Sequence, residues 1–315
     1  MRFFCLINPV SGGMKGKAVI AALEALRAAG KFEGEIEELN QKGVREQLTR
    51  AKTFDRILAA GGDGTIAEII SSMDETHPPL GLLPLGTGND LAKEIGIFSK
   101  FSISKIENIL DFYKTAPTKP LAVWKLLYGK DLQSSVKFIN YVSFGMDAGI
   151  VRKFSSWRKS KNYRHVSKFG IHGNRMAYAA AGVMHSLSFL KLGSLKVRRD
   201  SVDIKLPAKT CRTMIFTNIK SMMGIGVSNK RSSFFDDKIE LVLATSVINY
   251  LAMILRLKAP LPAPKLVESG SIWEIENMDE ATAVQVDGES RPDIVSASYR
   301  IEAAGNIRIL TACDS

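Results

Sequence analysis

A chain of 315 residues is long enough for two domains, and 45% hydrophobic with 24% charged residues is the balance of a soluble protein with a sizeable core. Its three cysteines, Cys5, Cys211 and Cys313, are scattered and lack C-x-x-C spacing, which argues against a disulfide framework or a zinc site and fits a reducing cytoplasm. The formal net charge of +11 is concentrated: no acid lies between Asp147 and Asp200, where the lysines and arginines from Arg152 to Arg199 account for the whole excess and would attract anionic lipid headgroups or nucleic acid.

Arg2–Asn8 is predicted as a buried strand that stops far short of a secretory signal, and Lys15–Ala29 as an amphipathic helix closed by Gly30. Glu35–Leu39 is a second short strand and Val44–Lys52 a second helix. Asp55–Ala60 makes a third strand, which runs into Gly61-Gly62-Asp63-Gly64-Thr65 and then a helix over Ile66–Met73. Leu80–Leu85 is a fourth strand, followed by Gly86-Thr87-Gly88-Asn89-Asp90 and a short helix over Leu91–Ile95. Strand, loop and helix in repeated succession predict an α/β domain with a doubly wound, mainly parallel sheet.

The pattern changes near Thr115–Pro120, so a first domain is expected over residues 1–120 and a second over 121–300, with the last strand, about 300–315, returning to the first. Strands are predicted at Leu121–Tyr128, Val136–Phe144, Leu195–Leu206, Thr213–Ile219, Ile239–Ala244, Ser271–Glu276 and Thr282–Val286. Helices over Arg175–Leu190 and Val247–Leu257 interrupt them, and the whole predicts a mainly antiparallel β-sandwich. The longest apolar stretches fall short of the ~18–20 residues that span a bilayer. The chain is expected to touch a membrane without crossing it.

Three glycine-rich loops follow the first, third and fourth strands: Asn8-Pro9-Val10-Ser11-Gly12-Gly13, Gly61–Thr65 and Gly86–Asp90. A doubly wound sheet gathers such loops along one edge, outside the carboxyl ends of its strands, where ligands bind. Glycines let backbone N–H groups approach closely, and the helix N-termini that follow favour negative charge, so the physics suits a polyphosphate. Ser11, Thr65 and Thr87 add hydroxyl donors. Asp63 would repel such a ligand unless a cation such as Mg²⁺ stood between them. Taken singly, Gly-Gly-Asp-Gly is a common turn and Gly-Thr-Gly-Asn-Asp a helix start capped by Asn89 or Asp90. Neither matches the phosphate-loop or dinucleotide pattern. Their joint occurrence, in order and each after an apolar strand, carries the reading.

Asn8-Pro9-x-Ser11-Gly12, Gly61-Gly62-Asp63-Gly64-Thr65 with Glu68, and Pro84-Leu85-Gly86-Thr87-Gly88-Asn89-Asp90-Leu91-Ala92 together resemble the diacylglycerol kinase catalytic-domain family, which also includes sphingosine, ceramide and bacterial soluble lipid kinases. The resemblance continues at Asn140–Asp147, Asp236–Leu241 and Val284–Glu289, and so covers nearly the whole chain. It implies an ATP- and Mg²⁺-dependent lipid kinase, cytoplasmic and peripherally membrane-associated, converting diacylglycerol most simply to phosphatidate. By that resemblance ATP would be held by Asn8, Ser11, Gly12 and Asn40, by Gly61, Gly62, Asp63, Gly64, Thr65, Ile66, Ala67 and Glu68, and by Gly86, Thr87, Gly88, Asn89 and Asp90. Glu289 would be the general base, with Asp63 and Asp287 as further catalytic carboxylates. Asp237 would hold Mg²⁺ together with the carbonyls of Phe234 and Ile239, and ATP and lipid would meet in a cleft between the domains.

Three departures stand out: Ala67 replaces a frequent Asn, Asn40 falls where many members have Thr, and Lys238 replaces the Gly of an Asp-Gly pair. From the residues alone, Asp287-Gly288-Glu289 is either a turn that swings two carboxylates into a cleft or a hairpin with solvated acids. Other lipid alcohols such as a sphingoid base or ceramide remain open as acceptors, as does a catalytically silent regulator, and NAD kinases also carry Gly-Gly-Asp-Gly-Thr. In Arg152–Lys168, basic residues alternate with Phe154, Trp157 and Tyr163, a mixture that suits an anionic bilayer surface better than RNA in an enzyme whose substrate is a membrane lipid. No nucleic-acid partner is expected; a homodimer is allowed.

Overall fold

The computed structural model describes residues 1–86, 88–158, 190–206, 209–222, 226–227, 232–250 and 265–312. It divides into two compact units, Met1–Val123 with Ala304–Ser315, and Trp124–Ala303.

The first unit alternates β1 (Phe3–Ile7), α1 (Ser11–Ala28), β2 (Gly34–Glu38), α2 (Val44–Ala51), β3 (Arg56–Gly61), α3 (Asp63–Ser71), β4 (Leu80–Pro84), α4 (Asp90–Glu94) and α5 (Ile106–Thr115). The strands pair in parallel in the order β2-β1-β3-β4. Every residue of β1 and β4 is buried, as is β3 beyond Arg56, which is why these strands read as unbroken apolar runs. β2, at the edge, carries Glu35, Glu37 and Glu38. Gly12, Gly13 and Met14 are left-handed (φ 61°, 69° and 75°), so regular helix begins at Lys15. α5 has no counterpart among the expected elements, although Ile106, Ile109, Leu110 and Tyr113 form a buried stripe at helical spacing.

The chain passes into the second unit along β5 (Thr118–Tyr128), which begins at the end of the expected linker Thr115–Pro120 and takes in the strand expected over Leu121–Tyr128. There follow β6 (Ser134–Phe138), β7 (Tyr141–Gly145), α6 (Met146–Arg158), β8 (Leu190–Lys191), β9 (Lys196–Arg199), β10 (Val202–Asp203), β11 (Thr210–Cys211), β12 (Thr213–Thr217) and the short β13 (Ser221–Met222) and β14 (Gly226–Val227). Then come β15 (Ile239–Ala244), β16 (Lys265–Gly270), β17 (Ile272–Glu276), β18 (Val284–Val286), β19 (Glu289–Ser290) and β20 (Tyr299–Leu310), whose end runs parallel to β4 in the first unit's sheet. One antiparallel sheet has the order β16-β15-β12-β7-β18-β19. A second layer contains β10-β9-β17-β20. Phe144 and Phe216 of the first sheet meet Tyr299 and Trp273 of the second edge to face, at 4.9 and 5.4 Å between ring centroids, which makes this unit the expected antiparallel sandwich.

Two predicted strands are each broken in two. Val136–Phe144 divides at Ile139-Asn140, and Leu195–Leu206 folds back at Asp200-Ser201, both left-handed at φ 48° and 69°. The predicted helix Arg175–Leu190 lies outside the described residues except at its last residue, Leu190, which is strand. The helix expected from Val247 is present over residues 247–250 and then leaves the described residues. α6 has no counterpart among the expected elements; it spans the start of the basic segment.

Candidate active site

The β2-β1-β3-β4 order reverses direction between β1 and β3, and ligands of open α/β sheets sit at such a switch point. The register aligns Ile7 with both Glu38 and Ala60, and Gly61 with Pro84, so the loops after all four strands open along one edge. Asn8, the first residue beyond β1, donates from Nδ2 to Thr65 Oγ1 at 3.0 Å, and its Oδ1 accepts the N–H of Val10 at 3.2 Å. That bond bridges the switch point and leaves the Thr65 hydroxyl proton available to a ligand.

The loops touch backbone to backbone. A Cβ on Gly86 would lie 2.6 Å from the Gly62 Cα, one on Gly12 would lie 2.2 Å from the Leu85 carbonyl oxygen, and Leu85 N–H donates to Gly61 O at 2.8 Å. Gly16, one turn into α1, is just as confined: its Cβ would fall 2.0 Å from the Asn8 carbonyl oxygen. The sequence reading missed Gly16, and its only signal was a small residue on the buried stripe of α1. α3 starts from Gly62, which provides no side-chain cap, so its first N–H groups face the loop edge as an anion site does.

Both carboxylate oxygens of Asp63, the acid expected beside a cation in the phosphate loop, accept backbone N–H groups. Its Oδ2 accepts the N–H of Asn89 at 2.7 Å and its Oδ1 that of Asp90 at 2.8 Å. Burial pushes this carboxyl above the usual aspartate range, against the pull of those two N–H groups and of Lys93. Asn89, left-handed at φ 51°, closes the same turn by accepting Gly86 N–H at Oδ1 (2.9 Å) and donating Nδ2 to Gly86 O (2.6 Å). Asn89 and Asp90 are buried, and the Ile66 side chain lies in the core, so any contact from position 66 to a cofactor is through main chain. Gly64, Ala67 and Glu68 are half-buried on the first turns of α3, Ser11 is half-buried and Gly12 exposed after β1, and Gly88 lies against Asp63, where a Cβ would be 2.6 Å from Oδ2. Asn40 is exposed beyond β2, where its Oδ1 accepts Lys42 N–H at 3.2 Å. Thr87 lies outside the described residues.

In the second unit, Asp287 and Gly288 form a hairpin turn between β18 and β19, both left-handed (φ 48° and 83°) as the two-residue Asp-Gly turn requires. Only one of the two carboxylates points outward. Asp287 turns inward and accepts the N–H groups of Ile139 (2.9 Å), Asn140 (2.8 Å) and Tyr141 (3.0 Å), so it braces the break between β6 and β7. Glu289, on the edge strand of the six-stranded sheet, is exposed.

The expected metal residues are less convergent. Asp237 is exposed and left-handed (φ 50°), Phe234 is buried with its ring against Phe235, and the Ile239 carbonyl already accepts the Trp273 indole N–H at 3.1 Å. No group of three or more His, Cys, Asp or Glu side chains that could hold a metal ion occurs among the described residues. At the end of the basic segment, Arg198 is ion-paired with Glu274 and Glu276 of the neighbouring strand β17, and Arg199 with Glu268 of β16. Among the described residues of this segment, Arg152 and Lys153 on α6 and Lys191 on β8 are exposed.

The diacylglycerol kinase catalytic domain model matches residues 2–117, and the diacylglycerol kinase accessory domain model residues 137–290. Human diacylglycerol kinase iota is 31% identical over 241 residues, 68% of this chain and 22% of that protein. Mouse diacylglycerol kinase theta is 25% identical over 314 residues, 90% of this chain and 32% of that protein. The chain thus spans between about a fifth and a third of the length of these curated relatives. Among solved structures, a diacylglycerol kinase from Bacillus anthracis str. Sterne superposes with a TM-score of 0.64 at 16% identity, covering 98% of this chain and 96% of that one. Yeast NADH kinase complexed with NADH does so with a TM-score of 0.56 at 12% identity, covering 99% and 84%. The fold is therefore shared with kinases of different acceptors and does not choose among them. The two matched domain models, in order along one chain and around the loops described above, place this chain in the diacylglycerol kinase family.

Proposed function

We propose that this chain transfers the γ-phosphoryl group of ATP to the hydroxyl of a membrane lipid, converting diacylglycerol to phosphatidate. The observation that carries the nucleotide half is the meeting of three glycine loops at the switch point of the parallel sheet, with Gly62 and Gly86 too close for any side chain. Backbone N–H groups at the start of α3, with Thr65 and Ser11 hydroxyls, are the donors that a triphosphate needs. Family membership supports the lipid as acceptor. Arg152 and Lys153, exposed on α6, are suited to an anionic bilayer surface.

In this reading Glu289 accepts the proton of the lipid hydroxyl as its oxygen bonds to the γ-phosphorus. The bond from that phosphorus to the β–γ bridging oxygen breaks, and ADP leaves. The residues at the loops hold and orient the phosphates, while Asp63 and Asn89 keep the loops closed. Mg²⁺ would arrive with the nucleotide and would neutralise phosphate charge. This suits a site in which the Asp63 oxygens already accept two N–H groups.

Labelled ATP with diacylglycerol, monoacylglycerol, ceramide and sphingosine in mixed micelles tests the substrate, with phosphatidate as the expected product. Glu289→Gln is expected to lower kcat by about 10²–10⁴-fold, the usual worth of a general base, with the unfolding midpoint unchanged. Near wild-type turnover in that variant would remove Glu289 from the mechanism.

A further inference from the structure

The six-stranded sheet carries a buried polar chain inside an otherwise apolar layer. Along β7, Phe144 points into the sandwich and Ser143 to the opposite face. α6 and the helix beginning at residue 247 cover that face, packing Ile150, Val151 and Tyr250 against Ile215 and Val242. In the middle of this layer, Ser143 Oγ donates to Asp147 Oδ2 at 2.5 Å, and the Tyr250 hydroxyl donates to Asp147 Oδ1. Gln285, the register partner of Ser143 on β18, donates from Nε2 to Ser143 Oγ at 2.9 Å and to Asp147 Oδ2 at 3.2 Å. Ser143, Asp147 and Gln285 are each 0% exposed.

The other end of the Gln285 amide leaves the layer. Its Oε1 accepts the N–H of Gly288 at 2.7 Å, and Gly288 is the residue immediately before Glu289. On the far side of the same turn Asp287 grips the backbone of 139–141. The turn is thus held from two directions, one by a carboxylate on backbone and one by an amide anchored to a buried carboxylate. Replacing the whole cluster by hydrophobic residues of similar volume would be neutral or better for stability, since buried charge seldom improves stability over hydrophobic isosteres. What the polar chain adds is direction, because hydrogen bonds fix an angle and dispersion contacts do not.

We infer that Gln285 and Asp147, with Ser143 and Tyr250, are positioning residues for Glu289. They fix the turn from which the base projects and join it to α6 and the helix at 247. The inference rests on the reading of Glu289 as base, and the experiment separates the two.

Steady-state kcat and KM for ATP, with a diacylglycerol in mixed micelles, are measured on the full chain carrying Gln285→Met, Gln285→Glu, Asp147→Asn with Gln285→Glu, Glu289→Gln, and Gln285→Met with Glu289→Gln. Gln285→Met removes all three Gln285 hydrogen bonds at nearly constant volume and is expected to lower kcat by up to about 10²-fold, the effect of a small misplacement of a reacting group, with KM for ATP unchanged. Gln285→Glu sets two carboxylates together and also lowers kcat. Adding Asp147→Asn restores most of the loss, because the amide now at 147 donates to the carboxylate now at 285, which still accepts the Gly288 N–H. In the Glu289→Gln background, Gln285→Met is expected to cost less than about threefold more, since groups that act as a unit are not additive.

A full further loss in that background, a change confined to KM for ATP, or wild-type kcat in Gln285→Met would each overturn the inference. If Glu289→Gln alone keeps wild-type turnover, the base assignment fails and the inference goes with it. If Glu289→Gln is slow and Gln285→Met is not, only the inference fails. Should Gln285→Met not fold, Gln285→Asn, which keeps an amide but is one methylene too short to span from Asp147 to Gly288, is read in the same way.

Discussion

Asp63 Oδ2 accepts the backbone N–H of Asn89 at 2.7 Å, while the Asn89 side chain closes the same turn onto both backbone groups of Gly86. Two loops separated by more than twenty residues are thereby locked by one carboxylate and one carboxamide. Asp63→Asn keeps the shape but turns an amide NH₂ toward a backbone N–H. Loss of a hydrogen bond to a charged group is expected to lower stability by about 1.5–3 kcal/mol, and nucleotide affinity should fall with it. Urea unfolding and titration with a fluorescent ATP analogue check this. Unchanged stability with lost turnover would assign Asp63 to the chemistry instead.

Glycines in the loops should differ sharply in tolerance. Gly13 is left-handed at φ 69° with open space around its Cβ position, so Gly13→Ala should cost only the strain of the backbone, about 1–2 kcal/mol. In Gly86→Ala the methyl would lie 2.6 Å from the Gly62 Cα, which is backbone and cannot rotate away, and 3.0 Å from Asn89 Oδ1, which is held on Gly86 N–H. Gly86→Ala is expected to abolish nucleotide binding and lower the unfolding midpoint well beyond Gly13→Ala, as measured by thermal unfolding with and without ATP.

Tyr113 of α5 serves Leu82 of β4 as a strand partner would. Its buried hydroxyl accepts the Leu82 N–H at 2.9 Å and donates to the Leu82 carbonyl at 2.7 Å, two residues beyond Leu80, where β4 pairs with β20. Tyr113→Phe leaves two buried backbone groups unpaired, at about 1–3 kcal/mol each. The variant should be markedly less stable to urea, while KM for ATP of the folded fraction stays at its wild-type value.

Glu302 of β20 sits between Lys125 (2.8 Å) and Arg300 (2.6 Å), and Arg300 also reaches Glu274 (3.0 Å). Lys125 foremost, with Arg300, holds the Glu302 carboxyl below the usual glutamate range. A carboxylate depressed in the folded state contributes stability above its unfolded pKa of about 4.3 and loses it as pH falls through the lower folded value. The stability difference between wild type and Glu302→Gln should therefore shrink as pH drops below about 4. A constant difference across that range would show that the pair does not couple to folding.

Much of the first unit was legible because burial on both faces writes β1, β3 and β4 as continuous apolar runs, each ending in a glycine loop. The break between β6 and β7 was not, because it depends on Asp287, almost 150 residues downstream, which takes the N–H groups of 139–141. α6 was hidden by its basic residues, which drew attention to charge rather than to Ile150 and Val151, buried on its inner side.

The candidate carboxylates divide along the same line. The sequence by itself determined which residue types stand at the strand ends, and hence that a polyphosphate site was to be expected on the first sheet's edge. Only the tertiary structure decided the direction of each acid: Asp63 and Asp287 turn inward onto backbone N–H groups, and Glu289 stays exposed. The reason is physical. Local sequence sets where a carboxylate is attached, but its partner is whichever unsatisfied donor the rest of the chain brings within about 3 Å.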